Sequence, residues 1–253
     1  MLEAFLQTNI WVFVVVMTRI GTMLGTLPGF AAGYVLPRYR ISLALLLSFL
    51  LAPMVVQFVP PLPESAMMMF LILAGEVVVG AFLASIAVVM FAALQAAGTF
   101  IAFFSSMANA LVQDAVANQQ SSVIAGFLST MGLVLIFVTD LHHIMLRAGV
   151  DSFELMRPGQ PLLLGDMSDM IATRVAEAFA LGLKLSSPLL ISAMIYYLAL
   201  GVLGRLMPTL QVFFFGLPLQ ISAQLFVLAL SVSGMMIVFL QAFSDAYTPF
   251  LAP

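Results

Sequence analysis

One segment of the sequence decides the class of fold: residues 67–97 read MMMFLILAGEVVVGAFLASIAVVMFAALQAA, and Glu76 is the only charged residue among them. A helix crosses the hydrocarbon core of a membrane with about 20 apolar residues. This run of about 31 residues would extend about 46 Å, which is well beyond a core of about 30 Å. We therefore expect a membrane helix that tilts, bends or leaves the bilayer.

Five further stretches are apolar and long enough, or nearly so, to form membrane helices. Proline and glycine residues separate them, including Pro28 and Gly29 after the first stretch and Pro208, Gly216 and Pro218 before the last. The most polar connection is predicted at residues 157–169. In chain order, the six stretches are 10–27, 41–59, 67–97, 123–150, 175–203 and 221–243.

The composition of the whole chain agrees with a protein surrounded by lipid or by other apolar protein. Hydrophobic residues make up 63% of the 253 positions and charged residues only 8%, whereas a soluble protein carries charge on about a quarter of its residues. A net charge of −3 without a basic block argues against nucleic acid as a partner. We expect an all-α membrane protein that forms one domain over residues 1–253.

Charged residues inside the apolar stretches must face protein or water, because a charge at the centre of a membrane helix costs about 2.5–3.5 kcal/mol. Glu177 and Lys184 are seven residues apart, so they share a helical face without touching. We expect structural pairs within the chain or across a subunit interface, and a proton or ion relay is the alternative. The charged residues inside the stretches include Arg19, Glu76, Asp140, Glu177 and Lys184.

Two adjacent histidines, His142 and His143, raise the question of a metal site. Neighbouring side chains on a helix point about 100° apart, so we expect that these two do not bind one ion together. Asp140 shares a helical face with His143, but a third ligand is not apparent. The sequence contains no G-x-x-x-x-G-K-[ST], H-E-x-x-H or G-x-S-x-G motif and no cysteine. We expect no metal, no cofactor and no enzymatic activity.

Small residues near the start of the chain predict close helix packing. Gly21, Gly25, Gly29 and Gly33 recur at every fourth position, a spacing that lets a second helix approach closely. Pro28 interrupts the run. Gly21 and Gly25 are therefore the predicted helix contact.

A polar but almost uncharged interval follows the long apolar run, at residues 100–122. Serine, asparagine and glutamine alternate there with apolar residues, and Asp114 is the only charge. Irregular polar backbone at membrane depth persists only where it is buried in protein or lines a water-filled cavity. The residues leave two interpretations open: a solvent-exposed loop, or a segment folded into a pore and sealed by apolar side chains.

Several segments, taken together and in order, resemble the FliR/SctT family, a component of the export gates of type III secretion systems. The most specific is GRLMPTLQVF at residues 204–213, continued by GLPL at 216–219, which is similar to the family's arginine and proline before a glycine–hydrophobic–proline turn. Arg205 of this segment joins Arg19, Glu76, Glu177 and Lys184 as a predicted buried or inter-subunit residue. The supporting segments are Arg19 with Pro28, PRYR at 37–40, GEVVVG at 75–80 and QAAG at 95–98.

The resemblance implies about six long, bent hydrophobic helices in hairpins, assembled into a helical export-gate core at the flagellar basal body of the bacterial inner membrane. One copy of this chain would join five copies of FliP and four of FliQ, with FlhB near the cytoplasmic entrance. This closed core would open for unfolded flagellar proteins and would draw its energy from other components. The alternatives are the equivalent virulence-system subunit and a secondary transporter of a small solute.

In this family a loop after the third hydrophobic stretch plugs the pore, and it is similar to residues 106–119 here. Alanine follows Asp114 where many relatives have proline, and aliphatic residues replace the aromatic plug residues expected from relatives. We expect the apolar members of the loop to seal the pore. The predicted plug or gate residues are Met107, Asn109, Leu111, Val112 and Asp114.

Overall fold

The computed structural model describes residues 2–31, 33, 35–107, 111–114, 119–207 and 212–251. These residues form long α-helices and one small hairpin. The helices are α1 (Leu2–Thr26), α2 (Pro37–Val55), α3 (Ala66–Phe104), α4 (Val123–Val138), α5 (Leu141–Leu155), α6 (Leu164–Leu206) and α7 (Val212–Tyr247). The strands are β1 (Leu111–Asp114) and β2 (Gln119–Ser122), and short 3₁₀ turns follow α2 and α7 at Val56–Phe58 and Thr248–Phe250.

The prediction of an all-α membrane protein is confirmed. Among the described residues, four helical segments are long and apolar enough to cross a membrane, and helices α4 and α5 would add a fifth span if they cross as one. Helix α3 has 39 residues and helix α6 has 43, so the expectation of an overlong third helix holds. The four segments are Pro37–Phe58, Ala66–Phe104, Leu164–Leu206 and Gly216–Phe250.

The fourth predicted stretch, residues 123–150, is not one helix. Helix α4 ends at Val138, and α5 begins at Leu141 after Asp140, whose φ is +60°. This left-handed conformation is one that a short polar side chain such as aspartate tolerates. Hydropathy could not reveal the break, because it averages over a window and is insensitive to the backbone angle of a single residue.

Helices also extend into segments that were predicted to be loops because they contain proline and glycine. Helix α6 begins at Leu164, inside the predicted polar connection, and continues through Pro188. Gly216 and Pro218, predicted to bracket a connection, both lie within α7. Prolines are tolerated inside membrane helices because neighbouring groups satisfy the backbone that a proline frees. Proline therefore predicts the end of a helix less reliably in this protein than in a soluble one.

The chain packs as two compact units. The first comprises Met1–Val89, Ile136–Arg174 and Phe243–Pro253, and the second comprises Met90–Leu135 and Val175–Ala242. These units describe packing, and the single domain over residues 1–253 stays a prediction.

Aromatic side chains organise the core of the first unit. Trp11 packs with Val15 and Ile72, and its indole Nε1 donates a hydrogen bond to the Pro60 carbonyl at 3.0 Å. The fully buried Tyr247 hydroxyl donates to the Leu83 carbonyl at 3.0 Å. The polar end of each large ring thus has a partner, as burial of Trp and Tyr requires.

Small residues bring the helices of the second unit together. A Cβ placed on Gly98 of α3 would overlap the backbone of Ala125 in α4. A Cβ on Gly182 of α6 would lie 3.0 Å from the Ala93 carbonyl oxygen of α3. Glycine at these two positions allows the backbones to touch, which is the packing that small residues give membrane helices.

Replacing Gly98 by alanine should lower the free energy of unfolding by about 1–3 kcal/mol, because the added methyl group forces α3 and α4 apart. The measurement is thermal unfolding of the purified protein in mild detergent. The matched control is Gly234→Ala in α7, where a Cβ meets no atom within 4 Å and where alanine favours the helix by about 0.5–1 kcal/mol. Equal melting temperatures for the two variants would contradict the packing described.

Candidate functional site

Helix α3 ends in a defined cap that directs the chain into the polar interval. The N–H of Met107 donates to the Ala102 carbonyl at 2.9 Å, and the N–H of Ser106 donates to the Phe103 carbonyl at 3.3 Å. Ser106 has a φ of +61°. A left-handed residue with these two bonds is a Schellman motif, which usually has glycine at that position. The cap satisfies the carbonyls of Ala102 and Phe103 but not that of Phe104.

A small antiparallel hairpin follows this cap. Strand β1 pairs with β2, with Leu111 opposite Ser122 and Asp114 opposite Gln119. The hairpin accounts for part of the polar backbone in this interval, because the N–H and C=O groups that face the other strand are paired across the hairpin. Of the predicted gate residues, Leu111, Val112 and Asp114 belong to β1, and the half-buried Met107 precedes it. Asn109 lies outside the described residues.

The second end of the hairpin is fixed to helices α3 and α4. The buried Ser122 hydroxyl donates to the Gly98 carbonyl at 3.3 Å and accepts from the N–H of Ala125 at 3.1 Å. Ser122 therefore acts as the N-cap of α4, satisfying one of its free N–H groups. The same hydroxyl ties the hairpin to α3.

The cap of α3 that precedes the hairpin is held by Gln220 of α7, a residue that no sequence motif indicated. Its amide Nε2 donates to the Phe104 carbonyl at 2.8 Å and to the Tyr197 hydroxyl at 2.9 Å. Its Oε1 lies 3.4 Å from the Ser106 hydroxyl, which donates to it. A glutamine surrounded by apolar helix residues was the available signal, since such an amide needs a partner in a membrane protein.

A buried charge network lies in the first unit. The Arg19 side chain, which is 0% exposed, places Nε 2.6 Å from Oε2 of Glu76. Its Nη1 donates to the Ser152 hydroxyl at 3.0 Å and its Nη2 to the Met156 carbonyl at 2.7 Å. The guanidinium carbon lies 4.0 Å from the centre of the Phe153 ring. Arg19 thus joins α1 to α3 and to the C-terminal end of α5.

The other charged residues of the predicted set lie apart from this network. Glu177 and Lys184 are exposed on α6, and Arg205 is exposed near its C-terminal end. Burial of these three side chains requires a neighbouring molecule, so their inter-subunit role stays a prediction.

In the predicted helix contact, a Cβ on Gly21 would lie 4.0 Å from that of Ala44 in α2, whereas one on Gly25 would meet no atom within 4 Å.

The two histidines lie closer together than a helical wheel suggests. The ligand atoms of Asp140, His142 and His143 all lie within 4.8 Å of one another, and the two imidazole centres are 4.1 Å apart. The expectation that these two side chains diverge is therefore wrong, because rotation about the side-chain bonds brings the two imidazole rings together. Asp140 Oδ1 and His143 Nδ1 are 3.7 Å apart, too far for a hydrogen bond. The absence of a metal stays a prediction.

Long apolar helices and a buried ion pair, in the part of the chain that the structure describes, define an all-α membrane protein. The family described as Bacterial export proteins, family 1, matches residues 10–246. The chain belongs to this family. The resemblance to the FliR/SctT family is thereby confirmed.

Relatives of the chain include three proteins named flagellar biosynthetic protein FliR. The one from Caulobacter vibrioides is 31% identical over 206 residues, which cover 81% of this chain and 82% of the relative. The one from Bacillus subtilis is 32% identical over 208 residues, covering 81% and 80%. The one from Escherichia coli K12 is 25% identical over 203 residues, covering 78% and 75%.

Replacing Arg19 by methionine should lower the free energy of unfolding by about 3–5 kcal/mol, because Glu76 would remain buried without its partner. Removing both charges with Arg19→Met and Glu76→Leu should cost less than Arg19→Met alone. Thermal unfolding in detergent is measured for Arg19→Met, for Glu76→Leu and for the double variant. Arg147→Met is the matched control, since its ion pair with Asp151 is largely exposed at the arginine and should change stability by less than about 1 kcal/mol. A double variant as unstable as the sum of the two single variants would contradict direct coupling.

Proposed function

We propose that this chain is a subunit of the flagellar type III export gate and forms part of its closed protein-conducting pore. The observation that carries the proposal is the family match over residues 10–246, joined with relatives named flagellar biosynthetic protein FliR at up to 32% identity. Those names favour the flagellar system over a virulence system and over a small-solute transporter. The site of action would be the bacterial inner membrane, at the flagellar basal body.

The surface of helix α6 supports assembly with other membrane subunits. Glu177 and Lys184 are exposed there among large apolar side chains, and a charge that faces lipid within a span is costly. Protein neighbours would cover this surface and shield the charges from lipid. By family resemblance, the neighbours would be five copies of FliP and four of FliQ, with FlhB close by. The exposed apolar residues of this surface are Phe179, Leu183, Ile191, Met194, Ile195 and Leu198.

The hairpin and the residue before it are the proposed plug. A narrow, apolar constriction excludes water and therefore ions, so a channel can be closed by packing without any chemical step. Met107, Leu111 and Val112 would supply the apolar seal, and Asn109 and Asp114 would border it. The role of the chain is then structural, and an arriving unfolded protein would displace the hairpin.

Deleting residues 106–119 from the chain in the assembled gate should make the inner membrane leak ions, because the seal is removed while the helices remain. A voltage-sensitive dye in living cells reports the loss of membrane potential. The control exchanges Leu225 and Leu230, two exposed residues of α7, for serine. A membrane that stays tight after the deletion would remove the plug assignment.

Co-expression of the chain with its neighbouring genes should give one complex that contains a single copy of it and several copies of two small helical proteins. Native mass spectrometry in mild detergent gives the copy numbers. Lys184→Glu should reduce the yield of this complex several-fold, since it reverses the charge on the proposed contact surface. Thr173→Glu, an exposed change near the start of α6, is the control. A stable chain without partners that carries a solute into liposomes would contradict the proposed function.

A further inference from the structure

We propose that Asp140, His142 and His143 bind one divalent transition-metal ion, for which Zn²⁺ is the best fit, and that this ion links the connection after α4 to the first turn of α5. The expectation that no metal binds rested on the divergence of the two histidine side chains, and in the structure these side chains lie together. The site lies outside the hairpin and does not depend on the proposed function of the chain.

The three side chains offer the kind and the number of ligands that Zn²⁺ takes. Two imidazoles and a carboxylate form a common protein ligand set for zinc, and a water molecule fills the fourth position of such a site. Carboxylates alone would favour Mg²⁺ or Ca²⁺, whereas imidazole nitrogen favours zinc and its neighbours in the first transition series. The ligand set therefore selects a transition-metal ion.

The ligand atoms are close enough to share one ion after small movements. Bonds of about 2.0–2.2 Å in a tetrahedral zinc site place the donor atoms about 3.4 Å apart. Here the ligand atoms all lie within 4.8 Å of one another, and Asp140 Oδ1 is 3.7 Å from His143 Nδ1. The side chains of Asp140 and His143 are largely exposed, so they change rotamer readily. Rotation of these two toward His142 closes the gap.

The ligand groups have no competing hydrogen bonds within the part of the chain that the structure describes. Asp140 occupies the N-cap position of α5, yet its side chain makes no capping hydrogen bond. The Nδ1 atom of His142 is buried and lacks a hydrogen-bond partner. Nearly all buried polar atoms in proteins have a partner, and a bound ion is one explanation for an atom that lacks one. Binding of a metal would therefore break no hydrogen bond of these groups.

Aromatic packing holds the His142 ring by its face. The Phe137 ring centre lies 5.0 Å from the imidazole centre, with an interplanar angle of 22°, and Phe137 in turn packs against Phe30 at 5.6 Å. Stacking engages the face of an imidazole, whereas its nitrogen atoms lie at the edge of the ring. His142 is therefore a preorganised ligand, because little of its rotamer freedom remains to be lost on binding.

The charge of Asp140 is essential to such a site. A cation beside the first turn of a helix faces the positive end of the helix dipole, which opposes binding. The negative carboxylate offsets this repulsion and part of the charge of a divalent ion. The nearest basic residue along the chain is Arg147, whose Nε lies 3.4 Å from Oδ2 of Asp151. That ion pair compensates the charge of the arginine.

Zinc binding to the purified chain, without a histidine tag, tests the site in mild detergent. The chain has two histidines and no cysteine, so ¹⁵N-labelled histidine gives ring nitrogen signals from His142 and His143 alone. Adding one equivalent of Zn²⁺ should shift a nitrogen signal of each ring, and equilibrium dialysis should show one ion per chain. Asp140→Asn, His142→Ala and His143→Ala should each weaken Zn²⁺ binding by about tenfold or more. The matched control is Glu154→Gln, which alters an exposed acid on the same helix and should leave binding unchanged.

Each outcome of the zinc experiment decides the proposal. One ion per chain, with shifts on both rings and weaker binding in the three variants, supports the site. Unshifted ring signals overturn it, as does a shift confined to one ring. Binding that all three variants leave unchanged also overturns it, because the ion would then lie elsewhere. A variant that fails to fold does not affect the decision, since the nitrogen shifts are measured on the unchanged chain.

Discussion

A carbonyl group at the end of a helix inside a membrane has no water to bond, so its hydrogen bond must come from the protein. In this chain, side chains of distant helices provide those bonds. Arg19 donates to the carbonyl of Met156, which follows α5, and Gln220 donates to the carbonyl of Phe104, which ends α3. The structure therefore depends on pairing the ends of some helices with polar side chains in the middle of others.

This requirement explains why a few polar residues matter so much in a chain that is 63% hydrophobic. A helix that is apolar on every side has no preferred face, so apolar burial alone leaves its rotation poorly specified. Glu76 is the only charge in the apolar run of α3, and its bond to Arg19 fixes which side of that run faces α1. Gly98 then allows the close contact with α4 that the Ser122 hydroxyl bridges.

The sequence predicted the long helices because the mean hydropathy over about 20 residues indicates whether a segment lies in lipid or in water. It predicted the polar interval because the mixed residues of that interval suit neither environment. It did not predict the break at Asp140, the helical setting of Pro218 or the hairpin strands, which depend on single backbone angles and on contacts. Nor did it pair Arg19 with Glu76, which lies 57 residues away. The sequence pattern did not indicate Gln220, because one uncharged amide barely changes the mean hydropathy of a segment.

The Schellman cap of α3 determines where in this part of the chain residues can be inserted. Each residue inserted before Phe104 would rotate its carbonyl by about 100° and advance it by about 1.5 Å, which turns it away from the Gln220 amide. An insertion between Asp114 and Gln119 would leave both attachment points in register. An epitope tag or a fluorophore-binding peptide therefore belongs between the two strands and not in the last turn of the helix that precedes them.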